Sequence, residues 1–287
     1  MSVRVARSRA VMAAGYQPAV VARIARVSRQ ALYRRPSRRP RAAGPGWVGP
    51  DDQVIVEVAK ANPTDGTRMV AALASRALGR PVNRKRVQRV MRAHRLLQPS
   101  RSGDRRRRPG FFRVTCPDAL WHLDMTKVWT AQHGWVYLHA IIDCCPRELV
   151  SWSLELRCRD DEAIACVEAA VVARSVQPGR LTLGTDNGSQ FTSRDFRRHL
   201  SARGVTHRRG GYRDPESQAF IESWFGQFKK RLAWRSQWES LDQARKEITN
   251  YIESYHQRPH SGLAYRTPAE VATTWRPDPD VLQTRAT

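Results

Sequence analysis

Three acidic residues in the second half of the chain stand where carboxylates could share a metal ion. Asp124 lies in ALWHLDMTKVW, Asp186 in RLTLGTDNGSQFTS and Glu222 in QAFIESWFGQFKKR. Hard divalent cations such as Mg2+ take carboxylate oxygens as ligands, and two such ions can clamp the attacking and leaving oxygens of a phosphoryl transfer. Taken singly, each carboxylate is more often a surface charge or a cap. A shared site therefore depends on whether the fold brings the three together.

The sequence around these residues alternates between strand and helix patterns. Strand patterns occur in five segments: ALWHLDMTKVW, GWVYLHAIID, ELVSWSLEL, LTLGTD and VTHRR. Helical patterns occur in four segments: DEAIACVEAAVVARSV, SRDFRRHLSARG, ESQAFIESWFGQFKKRLAW and DQARKEITNYIESYHQRP. The order of three strands, helix, strand, helix, strand, helix predicts a mixed α/β layer structure. It sets Asp124 in mid-strand, Asp186 at a strand end and Glu222 at the edge of a helix's apolar face. The three carboxylates can then meet at the rim of one sheet.

The net charge of the chain is +24, and it is unevenly spread. Residues 1–110 contain 26 Lys and Arg against 5 Asp and Glu, a balance of +21, whereas residues 111–287 contain 24 against 21, a balance of +3. This segregation indicates a polyanion partner for the first third, and nucleic acid is the commonest such partner. A generally arginine-rich composition would not segregate the charge.

The basic first third divides into two helical regions. Residues 1–46 contain QPAVVARIARVSRQALYRR, which predicts a helix-turn-helix-like pair with Ser28 as the cap of its second helix. Residues 47–110 predict a second DNA-binding region, in which Asn83 caps NRKRVQRVMRAHRLL, followed by an Arg-rich linker. The side chains predicted to contact DNA are Arg29 and Arg34 in the first region and Lys85, Arg89 and Arg92 in the second. For the second set, a solvated basic face is the alternative interpretation.

The acidic motifs resemble those of a known family. WHLDMT, GTDNGSQFTS and QAFIESWFGQFKKR resemble the motifs of the DDE transposases and retroviral integrases, and the 35 residues between Asp186 and Glu222 are the interval typical of that group. The chain is most similar to second-frame (OrfB-type) transposases of bacterial insertion sequences, because YHQRPHSGLAYRTPAEV and VNRKRVQRVMRAHRLL resemble their signatures too. The competing acid Glu216 would shorten the interval to 29 residues. Gln218-Ala219 stands where many relatives have Asn-Ala.

This resemblance implies the fold and the reaction. Over residues 111–275 we expect a ribonuclease H-like mixed five-stranded sheet flanked by helices, preceded by the small helical DNA-binding regions and followed by a tail at 276–287. The implied reaction is Mg2+-dependent DNA strand cleavage and strand transfer, with Mn2+ as an alternative ion. Asp124, Asp186 and Glu222 would be its catalytic metal ligands.

Neighbouring residues receive supporting roles. Lys229 is expected to contact a phosphate near the scissile end of the DNA, and Asn187 to position the DNA. A structural role is expected for His122. Trp234 and Trp238 are expected to pack in the protein interior rather than to stack on bases.

Three functions remain open at this point. They are an active transposase, a DNA-binding regulator whose core no longer cuts, and another nuclease of the same fold that acts on RNA–DNA hybrids or junctions. The intact acidic set argues against the regulator, and the two basic regions argue against the other nuclease. The partners expected are element ends and target DNA, further copies of the chain on that DNA, and a fusion partner from an upstream reading frame.

Apolar runs and cysteine content indicate where in the cell the protein is expected. The sequence has no run of about 18 apolar residues and no signal peptide pattern, which predicts no membrane association. Five cysteines without a CxxC pair favour reduced thiols. We therefore expect a cytoplasmic protein at the bacterial nucleoid.

Overall fold

The computed structural model of the chain describes residues 3–33, 49–99, 114–210 and 218–276. It divides into two compact units, Met1–Gly49 and Pro50–Thr287. Arg34, a predicted DNA contact, and Glu216, the competing acid, lie outside the described residues.

The first unit contains three short helices. They are α1 (Val3–Ala13), α2 (Pro18–Ile24) and α3 (Arg29–Tyr33). Pro18 occupies the first turn of α2, where its missing N–H costs nothing, and the Ser28 hydroxyl accepts a hydrogen bond from Ala31 N at 3.2 Å at the start of α3. Val21 and Leu32 are buried between the helices, and Arg29 is exposed. The predicted helix pair is therefore present as α2 and α3.

The second unit begins with a three-helix module, residues 50–99. Its helices are α4 (Pro50–Ala61), α5 (Thr67–Ala77) and α6 (Arg84–Ala93). Ile55, Val70 and Val87 are fully buried where the three helices meet. Asn83 caps α6 as predicted, since its side-chain oxygen accepts a hydrogen bond from Lys85 N at 2.8 Å.

A five-stranded mixed sheet forms the centre of the second unit. Its strands are β1 (Leu120–Thr130), β2 (Gly134–Asp143), β3 (Leu149–Glu155), β4 (Thr182–Thr185) and β5 (Thr206–Arg209), in the order β3-β2-β1-β4-β5. β1, β2 and β3 form an antiparallel meander, and β4 and β5 run parallel to β1. The ribonuclease H-like sheet expected from the sequence is thus confirmed.

Helices cover both faces of the sheet. The helices are α7 (Asp160–Arg174), α8 (Ser189–Thr192), α9 (Arg194–Ala202), α10 (Ala219–Phe228), α11 (Leu241–His256) and α12 (Pro268–Thr274), with a π-helical turn at Lys229–Ala233 and a 3-10 turn at Ser261–Leu263. Leu123 and Phe196 are buried in the core on the α7 and α9 side, and Leu138 and Phe228 in the core on the α10 and α11 side. Two apolar layers therefore fix β1 from both faces.

The two tryptophans after α10 have different environments. Trp238 is buried and donates its indole N–H to Glu247 at 2.8 Å. Trp234 is 74% exposed, so the predicted packing is wrong for this residue. The π-helical turn ends at Ala233, and the apolar stripe of α10 does not continue to Trp234.

Ionic contacts join the three-helix module to the sheet domain. Asp65, in the turn between α4 and α5, is 3% exposed and accepts hydrogen bonds from Arg231 and Arg258. Arg76 of α5 makes a bidentate contact of 2.6 and 2.8 Å with Glu270 of α12. These contacts dock α6 in a defined place relative to the sheet.

Two general properties follow from the described residues. No helix among them is both long enough and apolar enough to cross a lipid bilayer. No two of their cysteines form a disulfide.

Candidate active site

The strand register sets Asp124 and Asp186 side by side. In the parallel ladder of β1 and β4, His122 pairs with Gly184. Asp124 and Asp186 lie two residues further along each chain, so the same register brings Asp186 level with Asp124 just beyond the end of β4. The first two carboxylates predicted from the sequence therefore come from adjacent strands, at the end of the sheet where β4 stops.

Asp124 is partly buried among charged neighbours. Its carboxylate accepts a hydrogen bond from Met125 N at 2.7 Å. The pKa of Asp124 is raised to about 6, chiefly by burial and in part by the negative charges of Asp186 and Glu222, while the hydrogen bond from Met125 N and the charge of Lys229 oppose the rise. Asp186, Glu222 and Lys229 therefore lie within electrostatic reach of Asp124. Sequence reasoning had named all four.

Asp186 is exposed and tied to the turn that follows it. Its carboxylate accepts a hydrogen bond from Gly188 N at 2.9 Å, which bends the chain away from the strand. Asn187 donates its side-chain amide to Gly210 O at 2.9 Å, so it joins the end of β4 to the end of β5. The DNA contact predicted for Asn187 stays a prediction, and its observed contact is structural.

Glu222 is exposed on the first turn of α10. Ile221 and Phe225 beside it are buried against the sheet, which fixes the face that Glu222 presents. A stack of three side chains supports this end of the helix. The Phe220 ring stacks on the His122 imidazole with centroids 5.5 Å apart, and the Arg147 guanidinium lies 3.2 Å from the Phe220 centroid.

His122 has the structural role expected from the sequence. Its pKa is lowered to about 4, chiefly by burial and in part by the positive charges of Arg147 and Arg208, so the imidazole is neutral at pH 7. A Cβ on Gly184 would lie 2.9 Å from His122 Cδ2, which explains the glycine two residues before Asp186. Gln218, which is buried beside Gly184, was noticed in the sequence only as a departure from relatives.

The donor set fits a hard divalent cation in its chemistry. All three acids offer carboxylate oxygens, the ligands that Mg2+ prefers. Across the described ranges, however, no three His, Cys, Asp or Glu side chains are grouped closely enough to hold one ion. Asp124 and Asp186 each accept a bond from a nearby backbone N–H, and three like charges repel one another. To ligate one ion together with Asp124, the exposed Asp186 and Glu222 side chains would have to rotate towards it.

The predicted DNA-contacting face of α6 is exposed in part. Lys85 and Arg92 are exposed, as predicted. Arg89 is half-exposed and lies 3.7 Å from Asp52, so part of its charge is compensated within the module. Arg86 contacts Asp52 at 2.6 Å and Asp51 at 2.8 Å, and it stabilises the contact between α4 and α6.

Family comparisons match both parts of the second unit. A model described as an HTH-like domain matches residues 50–106, and two models described as an integrase core domain match residues 114–215 and 203–268. The transposase for insertion sequence element IS904 of Lactococcus lactis subsp. lactis (strain IL1403) is 35% identical over 164 residues, 55% of this chain and 63% of that protein. The chain belongs to the integrase core family, whose two models together match residues 114–268, more than half of it. A second relative, transposase InsD for insertion element IS2-9 of Escherichia coli (strain K12), is 28% identical over 291 residues, 93% of this chain and 92% of that protein.

Solved structures of viral integrases are also similar to this chain. The intasome of simian T-cell lymphotropic virus in complex with PP2A regulatory subunit B56 gamma contains a chain that matches with a TM-score of 0.47 and 16% identity, over 77% of this chain and 76% of that chain. The HTLV-2 integrase catalytic core domain in complex with magnesium matches with a TM-score of 0.38 and 19% identity, over 49% and 88% of the two chains. Strand order and the integrase-core models carry the fold assignment.

Proposed function

We propose that this chain is a transposase, which cleaves DNA at the ends of an insertion sequence and joins the freed 3′ ends to target DNA. The observation that carries the proposal is that the strand register sets Asp124 and Asp186 side by side at the ends of adjacent strands. Glu222 and Lys229 lie close enough for their charges to shift the pKa of the Asp124 carboxyl group. A carboxylate cluster at the rim of a sheet, beside a lysine, suits phosphoryl transfer on a polyanion.

Each residue of the site has a role in this proposal. Asp124, Asp186 and Glu222 hold Mg2+, or Mn2+ as an alternative ion, which when bound supplies Lewis acidity to the reacting oxygens. Lys229 contacts the phosphate next to the scissile bond. Asn187 keeps the ends of β4 and β5 together and leaves the Asp186 side chain facing the DNA. No protein–DNA covalent bond is required.

The basic regions bind the DNA in the same proposal. Lys85, Arg89 and Arg92 of α6 contact phosphates of the element end, and Arg29 and Arg34 of the first unit extend that contact. Joining two ends to one target calls for at least two copies of the chain on the DNA, and a fusion partner from an upstream frame would add a further end-binding domain. The reaction takes place on DNA in the bacterial cytoplasm, at the nucleoid.

Cleavage of a supercoiled plasmid that carries both element ends tests the proposal. Wild type with Mg2+ should nick the DNA at the ends, whereas EDTA or Asp186→Asn should abolish nicking. Asp195→Asn removes the same charge from exposed α9 and serves as the matched control. Nicking that survives Asp186→Asn would refute the site.

Two other substrates distinguish the remaining functions. Binding of the ends without cutting, in wild type with Mg2+, would favour a DNA-binding regulator. Cutting of an RNA–DNA hybrid in preference to paired DNA ends would favour another nuclease of the same fold.

A further inference from the structure

A cavity of about 900 Å3 lies between the three-helix module and the sheet domain. Its walls come from the α4–α5 turn at Thr64 and Asp65, from the Ser223 and Gln227 face of α10, and from the chain after α11. Glu222 does not line it, so the cavity is separate from the carboxylate site. Its volume is within the range of small-molecule sites.

The cavity is lined with an excess of positive charge. Arg147, Lys230, Arg231 and Arg258 line it, and Asp65 is the one acidic side chain on its described walls. Asp65 is shared between Arg231 and Arg258. Arg147 forms no ion pair with a carboxylate in the part of the chain that the structure describes, although it is only 9% exposed. A buried guanidinium normally requires an anionic partner.

Arg147 is also held in an unfavourable backbone conformation. Its φ is 63°, in the left-handed region that residues with a Cβ seldom adopt. Its backbone N–H nevertheless donates to Asp143 O at 2.9 Å, and its carbonyl accepts from the Tyr255 hydroxyl at 2.7 Å. Such strain persists only where surrounding contacts hold it, and it is concentrated at functional sites. Burial lowers the pKa of Arg147, and burial and Arg231 lower that of Arg258.

Unused donors and aromatic rings complete the lining. The side-chain N–H groups Arg147 Nε, Arg258 Nε and Trp224 Nε1 are buried and have no acceptor among the described residues. All three belong to residues that line the cavity. Trp224, Tyr251 and Tyr255 supply rings to the same walls, beside Phe220, whose ring is already stacked on His122 and Arg147. Cationic donors beside aromatic rings suit a ligand with a phosphate and a flat base.

We propose that this cavity binds a nucleotide, with the phosphate at Arg147, Arg231 and Arg258 and the base against the aromatic wall. In the structure the Asp65 carboxylate pairs with Arg231 and Arg258, so it competes with the phosphate for these two side chains. The phosphate has two sources, a free nucleoside monophosphate or the 5′-phosphorylated end of a DNA strand. Binding there is measured without cleavage, so it can be tested apart from the carboxylate site.

Calorimetric titration of the full chain tests this site with five probes. They are adenosine 5′-monophosphate, adenosine, inorganic phosphate, a short single strand with a 5′-phosphate, and the same strand without it. We expect the monophosphate to bind at least about tenfold more tightly than adenosine, since hydrogen bonds between a guanidinium and a phosphate are stronger than those between neutral groups. Tighter binding of the phosphorylated than of the unphosphorylated strand would identify DNA ends as the source, and binding of the monophosphate alone would identify a free nucleotide.

Variants with opposite expected effects make the test decisive. Arg258→Gln should weaken binding of the monophosphate by about tenfold, and Lys230→Gln, at a half-exposed position, should weaken it in a chain that still folds. Asp65→Asn should strengthen binding, because it frees Arg231 and Arg258. Arg235→Gln removes an exposed charge after the π-helical turn and should change nothing.

The proposal fails if neither the monophosphate nor the phosphorylated strand binds wild type and Asp65→Asn at millimolar concentration. Equal losses in Lys230→Gln and Arg235→Gln would also overturn it, because binding would then follow net charge and not the cavity. Neither result bears on the carboxylate site, which the plasmid assay tests separately.

Discussion

Asp186 lies level with Asp124 because the β1–β4 ladder pairs His122 with Gly184 and both chains continue for two residues. Neither acid has a basic side chain in an ion pair with it among the described residues, and Asp186 and Glu222 together raise the pKa of Asp124. Like charges that lie near one another repel, and ligation of a divalent cation would offset that repulsion.

Asp124→Asn should therefore lower DNA cleavage strongly without weakening DNA binding. We expect a loss of about 10²-fold to 10³-fold in rate, the scale seen when a group that stabilises transition-state charge is removed. Strand cleavage and DNA affinity should be measured on the same preparations. Asp161→Asn, an exposed acid at the start of α7, is the control, and a rate for Asp124→Asn within threefold of it would contradict the assignment.

The docking of the three-helix module should depend on Asp65 far more than on Arg76. Asp65→Ala leaves Arg231 and Arg258 without their shared carboxylate in a buried setting, and we expect the free energy of unfolding to fall by about 3 kcal/mol. Arg76→Gln breaks a contact in which both side chains are about 40% exposed, and should cost less than about 1 kcal/mol. Urea unfolding of both variants checks this order, and equal losses would contradict it.

His139 should make stability fall in mild acid. Burial lowers its pKa to about 4, so between about pH 6.5 and pH 4 the unfolded chain binds more protons than the folded one. The contribution of His139 to stability is complete above pH 6.5 and is lost as the pH falls through that window. Between pH 7 and pH 5, wild type should lose about 2 kcal/mol more than His139→Gln. Urea unfolding at both pH values measures the difference, and the exposed His133→Gln should behave as wild type.

The basic face of α6 should give a measurable salt dependence. Lys85→Ala and Arg92→Ala each remove an exposed charge, and each should reduce the slope of log affinity against log salt by about 1 if it contacts a phosphate. Arg86→Ala should act mainly on stability, because Arg86 is engaged with Asp51 and Asp52. DNA titrations at several salt concentrations separate the two effects, and unchanged slopes would leave Lys85 and Arg92 as solvated charges.

Local patterns in the sequence predicted the elements well because those elements follow from short-range rules. The alternation in ALWHLDMTKVW and the cap at Asn83 depend only on neighbours, and both are present. The side-by-side position of Asp124 and Asp186 depends on the pairing of β1 with β4. The family resemblance predicts that pairing, whereas the alternation pattern alone does not. The contact of Asp65 with Arg231 and Arg258 spans 166 and 193 residues, and no local signal reveals a pairing at that distance.

The stack of His122, Phe220 and Arg147 is also beyond local patterns, since its members come from β1, α10 and the β2–β3 turn. It lies at the start of α10, and Phe220 is two residues before Glu222. The stack therefore sets the position of the third acid, and its loss should move Glu222 relative to Asp124 and Asp186.

Phe220→Leu should lower the rate of cleavage and leave DNA affinity unchanged. Leucine keeps apolar volume but offers no ring faces to the His122 imidazole and the Arg147 guanidinium. A displacement of about 1 Å at a catalytic group can cost up to about 10²-fold, and we expect a loss of about tenfold. Phe220→Tyr preserves both ring faces and should retain the rate of wild type. Single-turnover cleavage and DNA titrations of the two variants measure both quantities. Equal rates for the leucine and tyrosine variants would show that the stack does not position Glu222.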